Sequence, residues 1–200
     1  MRRKTFDTIL SFGGVVLTIV LIVAGALLLW GSNFANSNVK SQLAQQQITF
    51  PTATALAHPN GGEITASMQK YLGQYAGKPL TTGPEAKAYA DHFIAVHLNE
   101  IGAGKTYAQL SEAALAQPKN TALANQVATV FKGTTLRAML LNAYGWWKVS
   151  QIMYIGSLIA FGLGGLALIG SVIALATGRK PKATAEALPQ TGGQVQPTAA

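Results

Sequence analysis

The sequence predicts an all-α membrane protein: two transmembrane helices enclose a small, mainly helical extracytoplasmic domain, and a disordered tail follows. Three observations predict it. Thr8–Trp30 and Ile152–Thr177 are long apolar runs, and no Asp, Glu, Lys or Arg lies between Asp7 and Lys40 or between Lys148 and Arg179. A basic cluster lies on the outer flank of each run, Arg2, Arg3 and Lys4 before the first and Arg179, Lys180 and Lys182 after the second. The intervening segment carries several runs of helical period and no convincing alternation of strands.

At a rise of about 1.5 Å per residue the two runs extend roughly 35 and 39 Å as helices. A bilayer core is about 30 Å thick, so each can span it with some tilt. The first run exceeds the roughly 7–15 residues of a signal-peptide core, and GSNFANS after it is a poor cleavage site, so it reads as an uncleaved anchor. Basic residues close to a span stay on the cytoplasmic side. Both termini are therefore expected in the cytoplasm, at the plasma membrane of a multi-pass protein. Trp30, Trp146, Trp147 and Tyr154 fall at the expected outer ends, where amphipathic rings favour the headgroup zone.

These boundaries divide the chain into a basic N-terminus (1–7), a first span (8–30), an outer domain (31–151), a second span (152–177) and a cytoplasmic tail (178–200). Half of the formal charge of +8 lies on the two flanks. The nine basic and five acidic residues between the spans are scattered, as on a solvated surface. Nucleic-acid binding needs a clustered basic face and is not expected. The absence of cysteine excludes disulfides, thiolate metal sites and thiol nucleophiles. The outer domain must fold on its own apolar core.

Within that domain, the polar run after Trp30 reads as a helical extension leading into a short extended piece. Pro51–Asn60 reads as a loop ending in an Asn60-Gly61-Gly62 turn. Ile64–Tyr75 reads as a short helix ending near Gly77. The clearest helix begins at Pro84, favoured in a first turn, with Glu85 complementing the helix dipole. It is expected to reach Ile101 and stop at Gly102 or Gly104, with Ala86, Ala90, Ile94, His97 and Ile101 on one core-facing stripe. Ala108–Leu115, opened by Thr106 or Ser111 and closed by Pro118, and Thr121–Phe131 are two more helices. Gly133-Thr134-Thr135 predicts a break before a last helix that enters the second span. Residues 178–200 are rich in Pro, Gly, Gln, Thr and Ala, as disordered tails are.

Four patterns bear on chemistry. Asp91, His92, His97 and Glu100 form the densest polar cluster. His97 and Glu100 share a helix face, but His92 and His97 are about 140° apart around a straight helix. One metal cannot easily take both, and His58 is the only other histidine, so His92, His97 and Glu100 make a poor metal set. The expected reading is a half-buried core His97 with Asp91, His92 and Glu100 solvated or paired; an enzyme using this cluster is the alternative. Ile101–Thr106, IGAGKT, matches the end of a phosphate-binding loop, but Asn99 stands where the first glycine belongs. It reads as a helix cap and turn. The LPQTG of Leu188–Gly192 is a sortase pentapeptide in the wrong order relative to the spans. Gly156, Ala160, Gly164, Ala167 and Ser171 line one helix face of the second span, and small residues let helices approach closely in lipid. Ser11, Gly14, Thr18 and Gly25 offer a looser counterpart, so the first span of the same chain is the expected partner and a homo-oligomer the alternative.

The runs YAGKPLTTGPEAKAYADHFIAVHL, GKTYAQLSEAAL and VATVFKGTTLRAMLLNAYGWW resemble those of an uncharacterised family of actinobacterial two-span membrane proteins. The resemblance covers about Gln45 to Gly178 and implies two spans around an outer helical domain. Some members bear the automatic name of ring-opening dioxygenase, which implies a facial triad of two histidines and a carboxylate on iron. No convincing triad is visible in this sequence. No cofactor is expected. The expected function is a non-enzymatic accessory or interaction subunit of the cell envelope, partnered by the lipid bilayer and by a membrane protein or a second copy. An oligomeric channel or transporter component is a further alternative, disfavoured because transport pathways usually carry intramembrane ionisable groups.

Overall fold

The computed structural model describes residues 3–59 and 63–178, with side chains over 12–59 and 63–176. The expected turn at Asn60-Gly61-Gly62, the flanking Arg2, Arg179, Lys180 and Lys182, the tail and its LPQTG lie outside the described residues. Two long helices set the frame, α1 over Arg3–Gln45 and α7 over Thr121–Gly178. Both contain stretches long and apolar enough to cross a membrane. Between them lie α2 (Ala53–Ala57), α3 (Ala66–Leu72), α4 (Gly83–Tyr89), α5 (Ala95–Ile101) and α6 (Tyr107–Ala116). The described residues are helical and turn structure, with one isolated β-bridge between Thr49 and Pro79.

The two long helices form an antiparallel hairpin without slip in register. Gly14 lies against Ser171, Leu21 and Ile22 against Gly164, Gly25 against Phe161, Leu28 against Gly156 and Gly31 against Met153. The inward positions of α1 are Gly14, Thr18, Leu21, Gly25, Leu28, Ser32, Ala35 and Val39, none of them exposed. They recur alternately four and three apart, the period of a left-handed packed pair. On α7 the expected small residues Gly156, Ala160, Gly164, Ala167 and Ser171 all face this seam, joined by Ser150, Met153 and Ser157. A β-carbon at Gly14 would come within 2.3 Å of the Ser171 Oγ, so the helices meet more closely than larger side chains permit.

Among the hydroxyls buried in the seam, those of Thr18, Ser157 and Ser171 are satisfied locally. Thr18 donates to the Gly14 carbonyl at 2.9 Å, Ser157 to Tyr154 at 2.7 Å and Ser171 to Ala167 at 2.8 Å. Burying a hydroxyl without such a bond costs roughly 1–3 kcal/mol. Each hydroxyl therefore packs like a small apolar group.

Outside the apolar runs the chain folds back onto one side of the hairpin. Gln47, with a left-handed φ of 52°, turns the chain out of α1. Extended residues 48–51 then clasp residues 77–80, through Phe50 N–H to the Lys78 carbonyl at 3.0 Å and Leu80 N–H to Ile48 at 2.8 Å. Gly77 has φ +68°, a conformation that suits glycine, and its N–H reaches the Pro51 carbonyl at 3.0 Å. The core joins Phe50, Leu56, Met68, Leu72, Leu80, Ala86 and Ala90 to Val39, Leu43 and Leu140 of the hairpin. Thr52 caps α2, accepting from the Ala55 N–H at 3.2 Å. Glu85 caps α4, accepting from the N–H groups of Thr81 and Thr82, each at 2.8 Å.

Three expectations about helices are corrected. Pro51–Asn60, expected as a loop, holds the short helix α2, which the Thr52 side chain caps. The break at Gly133-Thr134-Thr135 is absent, and α7 runs through it. Thr135 bonds back to the Phe131 carbonyl at 2.9 Å, and Gly133 makes room for Leu98, whose Cδ2 would lie 2.5 Å from an added β-carbon. That glycine serves packing and not a turn. The helix from Gly83 to Ile101 is also not uniform, because Ala90–Ile94 adopts a π turn. The wider turn shifts later residues around the axis, so Ala86 and Ala90 are buried while Ile101 is exposed.

The glycines separate two competing effects. Gly145 has open space around its would-be β-carbon, so Gly145→Ala should gain up to about 1 kcal/mol of helix propensity. At Gly83 an added β-carbon would meet the Trp147 side chain at 2.4 Å, so Gly83→Ala should lose about 1–3 kcal/mol through overpacking. Denaturation of the purified chain in mild detergent measures both signs.

Candidate functional site

The polar cluster ADHFIAVHLNE sits on the π turn and the helix that leaves it. An inserted residue in a helix loosens the regular carbonyl ladder, and such turns often mark functional positions. Here the Ala95 N–H closes the turn onto the Ala90 carbonyl. The same carbonyl accepts from Arg137 Nε of α7 at 3.2 Å, while Arg137 Nη2 reaches Asp91 Oδ1 at 2.8 Å. Lys87, one turn earlier, holds the other carboxylate oxygen. Arg137 thus grips both a backbone and a side-chain oxygen of the π turn, tying it to α7.

This pairing governs the charge state of Asp91. Partial burial alone would raise its carboxyl, but hydrogen bonds and charge from Lys87 and Arg137 hold it below the usual carboxylate value. Tyr89 goes the other way: burial, with a smaller push from Glu63, raises its phenol.

The histidines part company. His92 stacks flat on Tyr71, with ring centroids 3.8 Å apart and planes within 4°. His97 turns inward, its Nδ1 2.8 Å from the Phe93 carbonyl and its ring 4.5 Å from the Phe93 ring. A carbonyl can only accept, so Nδ1 carries the proton of that bond. Nε2 of His97 is buried without a hydrogen-bond partner. Glu100 is exposed. No group of three or more His, Asp or Glu able to hold a metal converges among the described residues.

The IGAGKT segment spends its backbone donors on closing α5. Gly102, Ala103, Gly104 and Lys105 donate to the carbonyls of Leu98, Glu100, Asn99 and Gly102. The Thr106 N–H donates to Gln109 Oε1 at 2.9 Å, opening α6. A phosphate cradle needs such N–H groups free. Ala103 and Gly104 take left-handed φ values of 49° and 76°, as a helix exit requires.

The aromatic residues expected at the membrane face differ in surroundings. Trp30 stacks on Phe34 at 5.7 Å and both are exposed. Trp146 and Tyr154 are also exposed, whereas Trp147 is half-buried against Gly83 and packs on the outer core. The sequence reading missed a feature between the long helices: a groove of about 680 Å³ lined by residues 34–46 of α1 and 135–146 of α7. Its only sequence signal is the pairing of amides with large apolar residues at helical spacing. No protein-family model, curated protein or solved structure matches this chain.

Two consequences follow for stability. A carboxyl with a lowered folded value contributes stability above its unfolded pKa of about 3.9, which is lost as pH falls through the folded value. The chain should therefore lose stability on acidification below about pH 4. Asp91→Asn should flatten that dependence and cost about 1 kcal/mol at neutral pH, the low end for a charged hydrogen bond because the Arg137 side chain is 39% exposed. At His97 the unpartnered Nε2 is a liability of about 1–3 kcal/mol. His97→Leu should leave stability unchanged or raise it by about 1 kcal/mol, as thermal unfolding would read.

Proposed function

We propose that this chain is a non-enzymatic integral protein of the plasma membrane, an accessory or interaction subunit of the cell envelope. Its spans are the first part of α1 and the last part of α7, both termini face the cytoplasm and the helical domain is extracytoplasmic. One observation carries the reading. The outward faces of both helices expose large apolar side chains in succession, among them Phe12, Leu17, Ile22 and Leu27 on α1 and Ile155, Ile159, Leu166 and Ile173 on α7. Water tolerates no apolar surface of that length on a soluble monomer. In lipid the same surface meets its natural solvent, and the small residues turn inward to pack.

The charge pattern supports the sidedness, since Lys and Arg near a span stay in the cytoplasm. The site geometry favours an interaction role over catalysis. Asp91 is committed to two cations, His92 to Tyr71 and His97 to Phe93. The seam between the spans is filled to contact, which favours an anchor over a conduit within one chain.

A reporter fused after Ala200 should read cytoplasmic, and one inserted in the Pro118-Lys119 turn should read external. The opposite pattern overturns the orientation. Affinity isolation from gently solubilised membranes should recover a specific membrane protein or a second copy. Repeated recovery of single chains alone overturns the interaction role.

A further inference from the structure

The helical domain covers one side of the hairpin outside the apolar runs, and the groove lies open on the uncovered side. Its floor is Val39, Leu43 and Leu140, which also close the core behind it. Its rims carry Phe34, Asn38 and Gln42 on α1 and Met139, Asn142 and Trp146 on α7. Phe34 is 60% exposed, Met139 66% and Trp146 58%. At its lower end the groove joins the exposed Trp30 and the bare outer faces of the apolar helices. It therefore extends the surface that the spans present within the bilayer.

Its chemistry narrows what can fill it. The chain carries a formal charge of +8, yet no Asp, Glu, Lys or Arg lines the groove. An anionic headgroup would call for cations there. Apart from Thr135, whose hydroxyl bonds back to the Phe131 carbonyl, the polar side chains are amides, each both donor and acceptor and so complementary to a copy of itself. Gln42 Nε2 donates to Asn38 Oδ1 at 3.1 Å, leaving an N–H on Asn38 and an oxygen on Gln42 to bond outward. Copies of one membrane-anchored chain share an orientation, so a two-fold axis relating them lies along the bilayer normal. About that axis the grooves of two copies face each other at equal height, α1 of each against α7 of the other, so the amides of Asn38, Gln42 and Asn142 meet amides of the second copy. A like charge placed on this lining in both copies would be held close to its own copy across the seam.

We propose that this groove is the interface of a parallel homodimer, in which two hairpins form a four-helix bundle across an amide-and-aromatic seam. The inference rests on the membrane reading above but not on which side the domain faces. Phe34, Met139 and Trp146 fill the space between the hairpins, and the contact continues down the apolar helices.

The lack of cysteine makes the test clean. Full-length chains bearing Asn38→Cys or Gln42→Cys, in native membranes, are treated with a flexible bis-maleimide and compared with Glu112→Cys, an exposed position outside the groove. Crosslinked dimers should form at least about tenfold more at the groove positions than at the control. Adding Gln42→Lys to the Asn38→Cys chain brings like charges together across the seam and should cut the dimer yield about tenfold or more. Gln42 is exposed, so the monomer's fold is not at stake. Equal crosslinking at groove and control positions overturns the dimer, as does a monomer carrying bound lipid in native mass spectrometry. A reversed reporter pattern overturns only the sidedness, since all copies still share one orientation.

Discussion

The close approach of α1 and α7 is the constraint on which the rest of the structure depends. In the lipid setting proposed above, no hydrophobic force draws two helices together, because acyl chains are as apolar as leucine. Packing must supply the attraction, and dispersion falls off within an ångström of lost contact. Gly14, Gly25, Gly31, Gly156 and Gly164 bring neighbouring side chains or backbone into contact range. The hydroxyls of Thr18, Ser157 and Ser171 join this seam with a bond to a carbonyl of their own helix. The pair is thus held by shape, with polar atoms neutralised before the helices meet.

The helical domain between the long helices inherits that frame. Its helices α2 to α6 are short, and isolated helices of such length are marginal in water. They gain stability by packing on the hairpin, and Val39, Leu43 and Leu140 complete their core. Gly83 and Gly133 repeat the logic of the seam at a second interface, admitting Trp147 and Leu98. Arg137 adds a polar clamp, fastening the π turn to α7 through Ala90 and Asp91. The dense polar cluster of the sequence is in this light a joint between the domain and its support. The groove between the long helices is lined by amides and large apolar side chains, with no charged residue among them.

Local chemistry made much of this legible in the sequence. Long charge-free apolar runs mark the two crossing-competent helices, since no soluble core demands them. Glu85 and Thr106 mark helix starts because their side chains satisfy N–H groups only a few residues away. Gly102 to Gly104 marks a helix end through backbone conformations that few residues adopt readily. Small residues at helical spacing on α7 mark the face that α1 meets.

What remained for tertiary structure depends on partners distant in the chain. Gly133 reads as a breaker by itself, and only the Leu98 side chain, supplied by another helix, makes it a site of close packing. The π turn at Ala90–Ile94 has no local signature; the Arg137 clamp on its carbonyl and carboxylate comes from α7. Trp146 and Trp147 are adjacent in sequence, yet one is exposed on the groove and the other packs against Gly83, because neighbours on a helix point about 100° apart. The sequence by itself determined where helices start, stop and turn apolar, since those choices are settled within a few residues. The fold alone decided which glycine is a turn and which a contact, and which face stays open, because both depend on what arrives from distant parts of the chain.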